Sequence, residues 1–359
     1  MVIKNISISD YSVELKKPFT YFTAKLKYLP YSLIRAESDS GLIGYGEASL
    51  AWDITGETQD GAKAMFKFAK PIIIDKEVNC TKDIAKIMSE INLHINANTG
   101  LKSGIEMALL DLLGKKTQKP LYQLFISKNC KKIIKAQKVL SFEEENREKI
   151  IREVEKAKKL GVKHIKIKVG QDIEKNIKLL DIINGRHPEI KLVLDVNQGW
   201  KNAEKAIPII KRLEKYNIIW IEQPTNQSEI GELSKIRKKT NIKIMADESC
   251  HCLTDLKALH LKNSVDLINI KIAKTGGFFE ALKMINYCEL NGIKYMLGDM
   301  LCTDLGTAAN LHLSVLGNFE AYDLTDPKRI KKSIFSGIKS NSYEFEVPQK
   351  SGLGIKKTT

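Results

Sequence analysis

The pentapeptide Ile165-Lys166-Ile167-Lys168-Val169 decides the fold. In an extended chain successive side chains point to opposite faces, so the isoleucines share one face and the two lysines the other. An apolar face with a cationic face opposite suits a strand of a closed barrel. The isoleucines meet surrounding helices, while the ammonium groups point into the lumen near the strand's C-terminal end.

Working outward, strand-like runs of the same kind recur at 134–140, 164–169, 191–196, 218–221, 242–246, 267–272, 294–297 and 319–323, with helix-like stretches between them. Helix signals punctuate the series: Ser141-Phe142-Glu143-Glu144 reads as a capping box, and Gly161 and Gly292 sit where helices close on glycine. Strands alternating with helices imply parallel pairing, and eight such units predict a (β/α)8 barrel, a modified TIM barrel, over residues 126–329. An open doubly wound sheet would want a glycine-rich phosphate turn after its first strand; Gly41-Leu-Ile-Gly44-Tyr-Gly46 opens no helix.

Residues 1–125 predict an α+β capping domain. Alternating stretches at 2–13 and 32–35, the turn Asp39-Ser40-Gly41 and a short strand reaching Glu47 predict a meander. Residues 62–124 change to helical spacing, with Ile105, Leu109, Leu112 and Leu113 on one face. Segments 16–30 and 50–61 show no period and are expected to be lid loops.

The 359 residues carry a net charge of +15 and a pI near 9.3, with 43% hydrophobic and 28% charged residues. A basic balance invites a nucleic-acid reading, but lysines interleave with glutamates along stretches such as 143–159, as on a solvated helix face, and no arginine-aromatic stripe is present. Six scattered cysteines read as reduced thiols, and Cys250-His251-Cys252 lacks a second ligand pair for structural zinc. No apolar run approaches the roughly 18 residues that span a membrane. The expectation is a cytoplasmic homo-oligomer that binds neither nucleic acid nor membrane.

Strand alternation turns Lys271 inward in Ile268-Asn269-Ile270-Lys271-Ile272, and Asp195, Glu222 and Asp247 each follow an apolar run. The steps from Lys168 through Asp195, Glu222 and Asp247 to Lys271 are 27, 27, 25 and 24 residues, about one βα unit each. Five polar groups therefore converge on one rim. Three carboxylates from consecutive strands form an oxygen site suited to Mg²⁺. Lys166, a neighbouring cation, is expected to lower the basicity of Lys168 towards that of a usable base. With Lys168 and Lys271 on opposite sides of the metal, one lysine can remove an α-proton and the other replace it. That chemistry is racemisation or epimerisation of a carboxylate substrate.

These residues resemble the muconate lactonizing subgroup of the enolase superfamily. The resemblance rests on Gly44-Tyr-Gly46-Glu47-Ala48, Lys166-Ile-Lys168, Asp195-Val-Asn197, Glu222-Gln223-Pro224, Asp247-Glu248-Ser249 and Asn269-Ile-Lys271 followed by Gly276-Gly277. Within the subgroup it is most similar to dipeptide epimerases, also through Ile54-Thr-Gly56-Glu57. The resemblance implies Mg²⁺ on Asp195, Glu222 and Asp247, acid and base roles for Lys168 and Lys271 with Lys166 in support, and a tail, 330–359, that returns to the capping domain. Asn197 and Glu248 are expected behind the metal ligands. It further implies a small dipeptide substrate of the L-Ala-D/L-Glu type, with o-succinylbenzoate synthase or muconate cycloisomerase chemistry as the alternative on the same scaffold.

Dipeptide epimerases usually show Asp-x-Asp at the end of the eighth strand, to hold the substrate ammonium. The run here is Asp323-Leu-Thr325-Asp326, so Asp323 matches, Thr325 departs and Asp326 is the candidate replacement. The first lid loop has no arginine, which leaves Lys25 or Lys27 as a looser partner for a glutamate side chain. Asp299, after the seventh strand, is a further acid at the mouth.

Overall fold

The computed structural model describes residues 1–20, 25–130, 132–141, 146–162, 164–169, 172–341 and 343–358. The chain opens with an antiparallel meander of β1 (Ile3–Thr20), β2 (Lys25–Ser38) and β3 (Ile43–Ser49), in the order β1-β2-β3. Gly41, at φ +76°, closes the turn into β3. Helices α1 (Gln59–Ile73), α2 (Thr81–His94) and α3 (Thr99–Lys116) follow.

Gly44 and Gly46 let α3 lie on β3 at backbone distance. A Cβ on Gly46 would meet the Gly104 carbonyl oxygen, and one on Gly44 the Ala108 carbonyl. Because it is enclosed this way, α3 is buried on every side over most of its length, whereas the periodicity of Ile105, Leu109, Leu112 and Leu113 had predicted one apolar face.

Two expectations for this region change. In segment 16–30 the described residues are strand: β1 runs to Thr20 and β2 starts at Lys25, pairing Phe19 with Leu26 and Thr20 with Lys25, while the expected lid at 21–24 lies outside the described residues. A register shift between Glu14 and Phe19, at Lys16-Lys17-Pro18, breaks the alternation and hides the strand from a period-two reading. Segment 50–61 keeps its loop only up to Thr58, whose hydroxyl accepts from Gly61 N at 3.2 Å and starts α1.

The second half winds through β4 (Ile133–Lys135), β5 (Lys138–Ser141), α4 (Arg147–Lys159), β6 (His164–Lys168), α5 (Ile173–Arg186), β7 (Lys191–Asp195), α6 (Ala203–Leu213) and β8 (Ile218–Glu222). It continues with α7 (Ile230–Lys239), β9 (Lys243–Ala246), α8 (Leu253–Leu261), β10 (Leu267–Ile270), α9 (Ile272–Thr275), α10 (Phe278–Asn291), β11 (Lys294–Gly298), α11 (Asp304–Leu313) and β12 (Tyr322–Asp323). Strands β5 to β12 lie in sequence order as one parallel sheet of eight, with helices around it. The Gln137 N–H donates to the Tyr322 carbonyl at 2.8 Å and joins the two ends, so this is a (β/α)8 barrel.

The run 134–140 is divided. Ala136 N bonds to Tyr343 O and Gln137 N to Tyr322 O, so the chain changes partners there and leaves β4 outside the barrel. The eighth strand is shorter than its run, holding ladder pairs only at Tyr322 and Asp323. Most of the capping box at Ser141 to Glu144 lies outside the described residues; α4 starts at Asn146, whose side chain accepts from Lys149 N.

Inside the barrel Val193, Trp220, Met245, Leu267, Met296 and Ala321 form a separate apolar layer. It plugs the lumen below the strand ends and gives the polar rim a dry floor. The tail pairs β13 (Phe335–Ser336) with β16 (Lys356–Lys357), and β14 (Ser340–Asn341) with β15 (Glu344–Glu346), which in turn pairs with β4. It also touches the first domain, through Leu15 opposite Ile330 and the Leu353 N–H on Asp111 at 2.8 Å. Among the described residues no helix is long and apolar enough to cross a membrane.

Candidate active site at the barrel mouth

Register places the site. Lys168 pairs with Asp195 and Asp195 with Glu222, so three strand ends come level, and Asp247 and Lys271 directly follow β9 and β10. All three acids are buried and so are Lys166 and Lys271.

Lys166 Nζ lies 2.8 Å from Asp195, 2.9 Å from Glu222 and 2.6 Å from Asp323. Lys168 Nζ donates to Asp195 at 2.6 Å and to Asn197 Oδ1 at 3.1 Å. Across the mouth Lys271 Nζ meets Asp247 Oδ2 at 2.5 Å. Lys168 and Lys271 both line one cavity at this mouth, on β6 and after β10, with the acids of β7 to β9 between them in strand order.

The electrostatics follow from burial against pairing. Burial opposes ionisation of Asp195, but the ammonium groups of Lys166 and Lys168 outweigh it and hold its carboxyl below the usual range. Asp247 is lowered in the same way by Lys271 and Lys274. Glu222, buried and facing Asp195, is pushed up to about 7. Lys166 and Lys271 would lose their protons to burial, yet the surrounding carboxylates hold both above the ordinary lysine value. The Lys166 ammonium is the counter-ion of three acids.

Among the described residues no group of acidic, imidazole or thiol side chains closes into a metal cage, because lysine ammonium groups lie against the three carboxylates. The donor set nonetheless fits a hard divalent cation, with three carboxylates on consecutive strand ends, of which Glu222 is pushed up to about 7 by burial and then by the neighbouring acids.

Asn197 links Lys168 to Glu248, donating to Glu248 Oε1 at 3.2 Å, and Glu248 is raised to about 8 by burial and the charges of Asp247 and Asp195. Asp323 lines the cavity on the barrel side opposite the metal-type acids. Asp299 lines it too, accepting from Thr325 N at 2.5 Å and Thr325 Oγ1 at 2.8 Å. Asp326 sits on the lining but is engaged elsewhere, capping Lys328 N at 3.0 Å and accepting from Ser340 at 3.1 Å. Lys25 is exposed at the solvent end of β2 and is not among the described lining residues.

Residues 149–358 match the enolase C-terminal domain-like family, and residues 4–125 the mandelate racemase / muconate lactonizing enzyme N-terminal domain. The chain belongs to this family, within the enolase superfamily. Its relatives include a hydrophobic dipeptide epimerase of Enterococcus faecalis, 33% identical with 99% of both chains covered. The crystal structure of that organism's dipeptide epimerase with Mg and the dipeptide L-Leu-L-Tyr superposes with a TM-score of 0.89, at 32% identity and 99% coverage of each chain. An L-Ala-D/L-Glu epimerase of Clostridium acetobutylicum is 30% identical over 99% of both chains. The N-succinyl-L-Arg/Lys racemase of Bacillus cereus is 28% identical over 99% of this chain and 95% of its own, and its structure gives a TM-score of 0.91. This enolase-superfamily member is, like them, an isomerase of the racemase and epimerase kind.

The site also contains Lys274, which no motif named, and three motif residues, Asn269, Gln223 and Glu47, to which no role was given. Lys274 is fully buried and donates to Asp247 Oδ1 at 2.7 Å, to the Asp247 carbonyl and to Asn269 O at 2.9 Å. The spacing Lys271-x-x-Lys274 was its only trace. Asn269 holds Glu222 Oε1 at 2.9 Å. Gln223 Oε1 accepts from Asp247 N and Ser249 N at 2.9 and 3.1 Å, fixing the loop that carries the third acid. Glu47, in the capping sheet, accepts from the Thr303 N–H and hydroxyl, and the Tyr31 hydroxyl donates to Leu301 O, so capping strands hold the loop after β11.

Proposed function

We propose that the chain is a Mg²⁺-dependent dipeptide epimerase, inverting the α-carbon beside the substrate carboxylate by 1,1-proton transfer. The observation that carries this reading is the placement of Lys168 and Lys271 on two sides of one cavity with Asp195, Glu222 and Asp247 between them in strand order. The working unit is a capping domain of residues 1–125 with tail 330–359 over a barrel of residues 126–329.

Asp195, Glu222 and Asp247 would hold the metal, with Asn197 and Glu248 behind them. The bound cation would neutralise charge developing on the substrate carboxylate as the α-proton leaves. Lys168 and Lys271 approach the α-carbon from opposite faces. In each direction one lysine, released from its carboxylate partner, must start as the free amine and takes the proton, and the other, an ammonium, delivers one to the far face. Lys166 stays an ammonium among its carboxylates. Asp323 receives the substrate's free amino group, with Asp299 on the neighbouring strand end adding negative charge. The turn role of Asp326 and the outward position of Lys25 argue against direct substrate contact by either.

The test is α-proton exchange. Mg²⁺-loaded protein in D₂O should place one deuterium at the α-carbon of the second residue of an L,L-dipeptide while the optical rotation decays. If a broad dipeptide panel shows neither change, the reading fails.

A further inference from the structure

The cavity has two chemically different walls. The barrel side carries Lys168, Lys271, Asp323, Asn197 and Gln137, which account for a carboxylate, an α-carbon and an amine. The capping side is different. Its described lining residues include Phe19, Leu26, Leu29, Leu50, Trp52 and Ile54, and no lysine, arginine or histidine. Met300, Leu301 and Leu324 extend the apolar surface from the barrel loops. Residues 21–24, outside the described residues, contribute no lysine, arginine or carboxylate in sequence.

We infer, on the basis of the proposed epimerase reading, that the side chain of the epimerised residue is bulky and apolar, of the leucine or phenylalanine class, rather than glutamate. With its carboxylate at the metal acids, its α-carbon between the lysines and its amine at Asp323, a dipeptide has only the capping side left for that side chain. Among the described lining residues a carboxylate there would be desolvated without a cation and would share the wall with one acid, Asp53. The lining's single arginine, Arg329, is exposed and belongs to the turn after β12, at the amine end. An apolar side chain instead covers surface that water now meets: Trp52 lines the cavity yet is 57% exposed.

The experiment compares kcat/KM of the Mg²⁺-loaded protein on L-Ala-L-Phe, L-Ala-L-Leu, L-Ala-L-Ala, L-Ala-L-Glu and L-Ala-L-Lys, read by α-deuterium uptake. The expected result is a preference for Phe or Leu over Glu of about 100-fold, equivalent to about 2.7 kcal/mol. Trp52→Ala should lose at least about tenfold more kcat/KM on L-Ala-L-Phe than on L-Ala-L-Ala, a split that a general folding defect would not produce. Glu or Lys equal to or better than Phe and Leu overturns the inference while leaving the epimerase reading intact, as does an equal loss on both substrates in Trp52→Ala. Uptake into no dipeptide at all overturns both.

Discussion

At the scale of single residues, chemistry rests on how each ammonium is committed. Lys168 and Lys271 touch the cavity and one carboxylate each, whereas Lys166 and Lys274 are wholly buried among several acceptors. Lys168→Ala or Lys271→Ala should each lower epimerisation by about 10²- to 10⁴-fold. Each variant should also exchange the α-proton of at most one epimer, read by proton NMR in D₂O; exchange of both would refute the two-base division. Lys274→Met should weaken Mg²⁺ binding by about tenfold or more, measured calorimetrically, since it removes the group that orients Asp247. Unchanged affinity in a folded variant would show that Asp247 is held without it. Asp323→Asn should raise KM about 10- to 100-fold for free-amine dipeptides through loss of a charge-assisted contact. N-acetylated analogues should suffer less, and an equal rise for both would point to disturbance of Lys166 instead.

At the scale of elements, backbone approach decides what the strands and helices can do. In the capping domain β3 lies on α3 at backbone distance, and Gly46→Ala would place a methyl against the Gly104 carbonyl. Overpacking at a backbone-to-backbone contact costs about 1 to 3 kcal/mol or more, so the urea midpoint should fall clearly. A midpoint within error of the parent would mean that α3 can withdraw from β3 freely. The barrel strands were legible because each combines an apolar outward face with one polar residue at its end, as in β6, β7 and β8. The strands of 16–30 were not, because Lys16-Lys17-Pro18 interrupts the alternation while β1 and β2 still pair beyond it. The division of 134–140 was equally hidden: Ala136 and Gln137 carry no signal that their N–H groups bond to Tyr343 and Tyr322, residues far along the chain.

At the scale of the whole molecule, the tail crosses from barrel to capping domain, and a buried histidine stands at one crossing. His312 on α11 lies 3.3 Å from the Leu353 carbonyl and 5.7 Å, ring to ring, from Tyr122, and burial lowers its pKa to about 4. Unfolded, it would titrate near 6.5, so between about 6.5 and 4 the unfolded chain binds more protons than the folded one. Stability from this group is therefore complete above that window and is lost as pH falls through it, by about 3 kcal/mol in all. Urea unfolding between pH 6.5 and 5 should show this slope, and His312→Leu should flatten it; an unchanged slope would assign the effect elsewhere.

The sequence by itself determined the barrel, its eight strands, and which lysines and acids end up level at one mouth, because strand alternation and the length of a βα unit are local properties repeated along the chain. Tertiary structure alone decided that Lys166 is the counter-ion of three acids, that Asp326 caps a turn, that Lys274 grips Asp247, and that the described capping wall is apolar. Those outcomes depend on which remote groups share a small buried volume, where desolvation and pairing compete at distances that spacing along the chain does not encode.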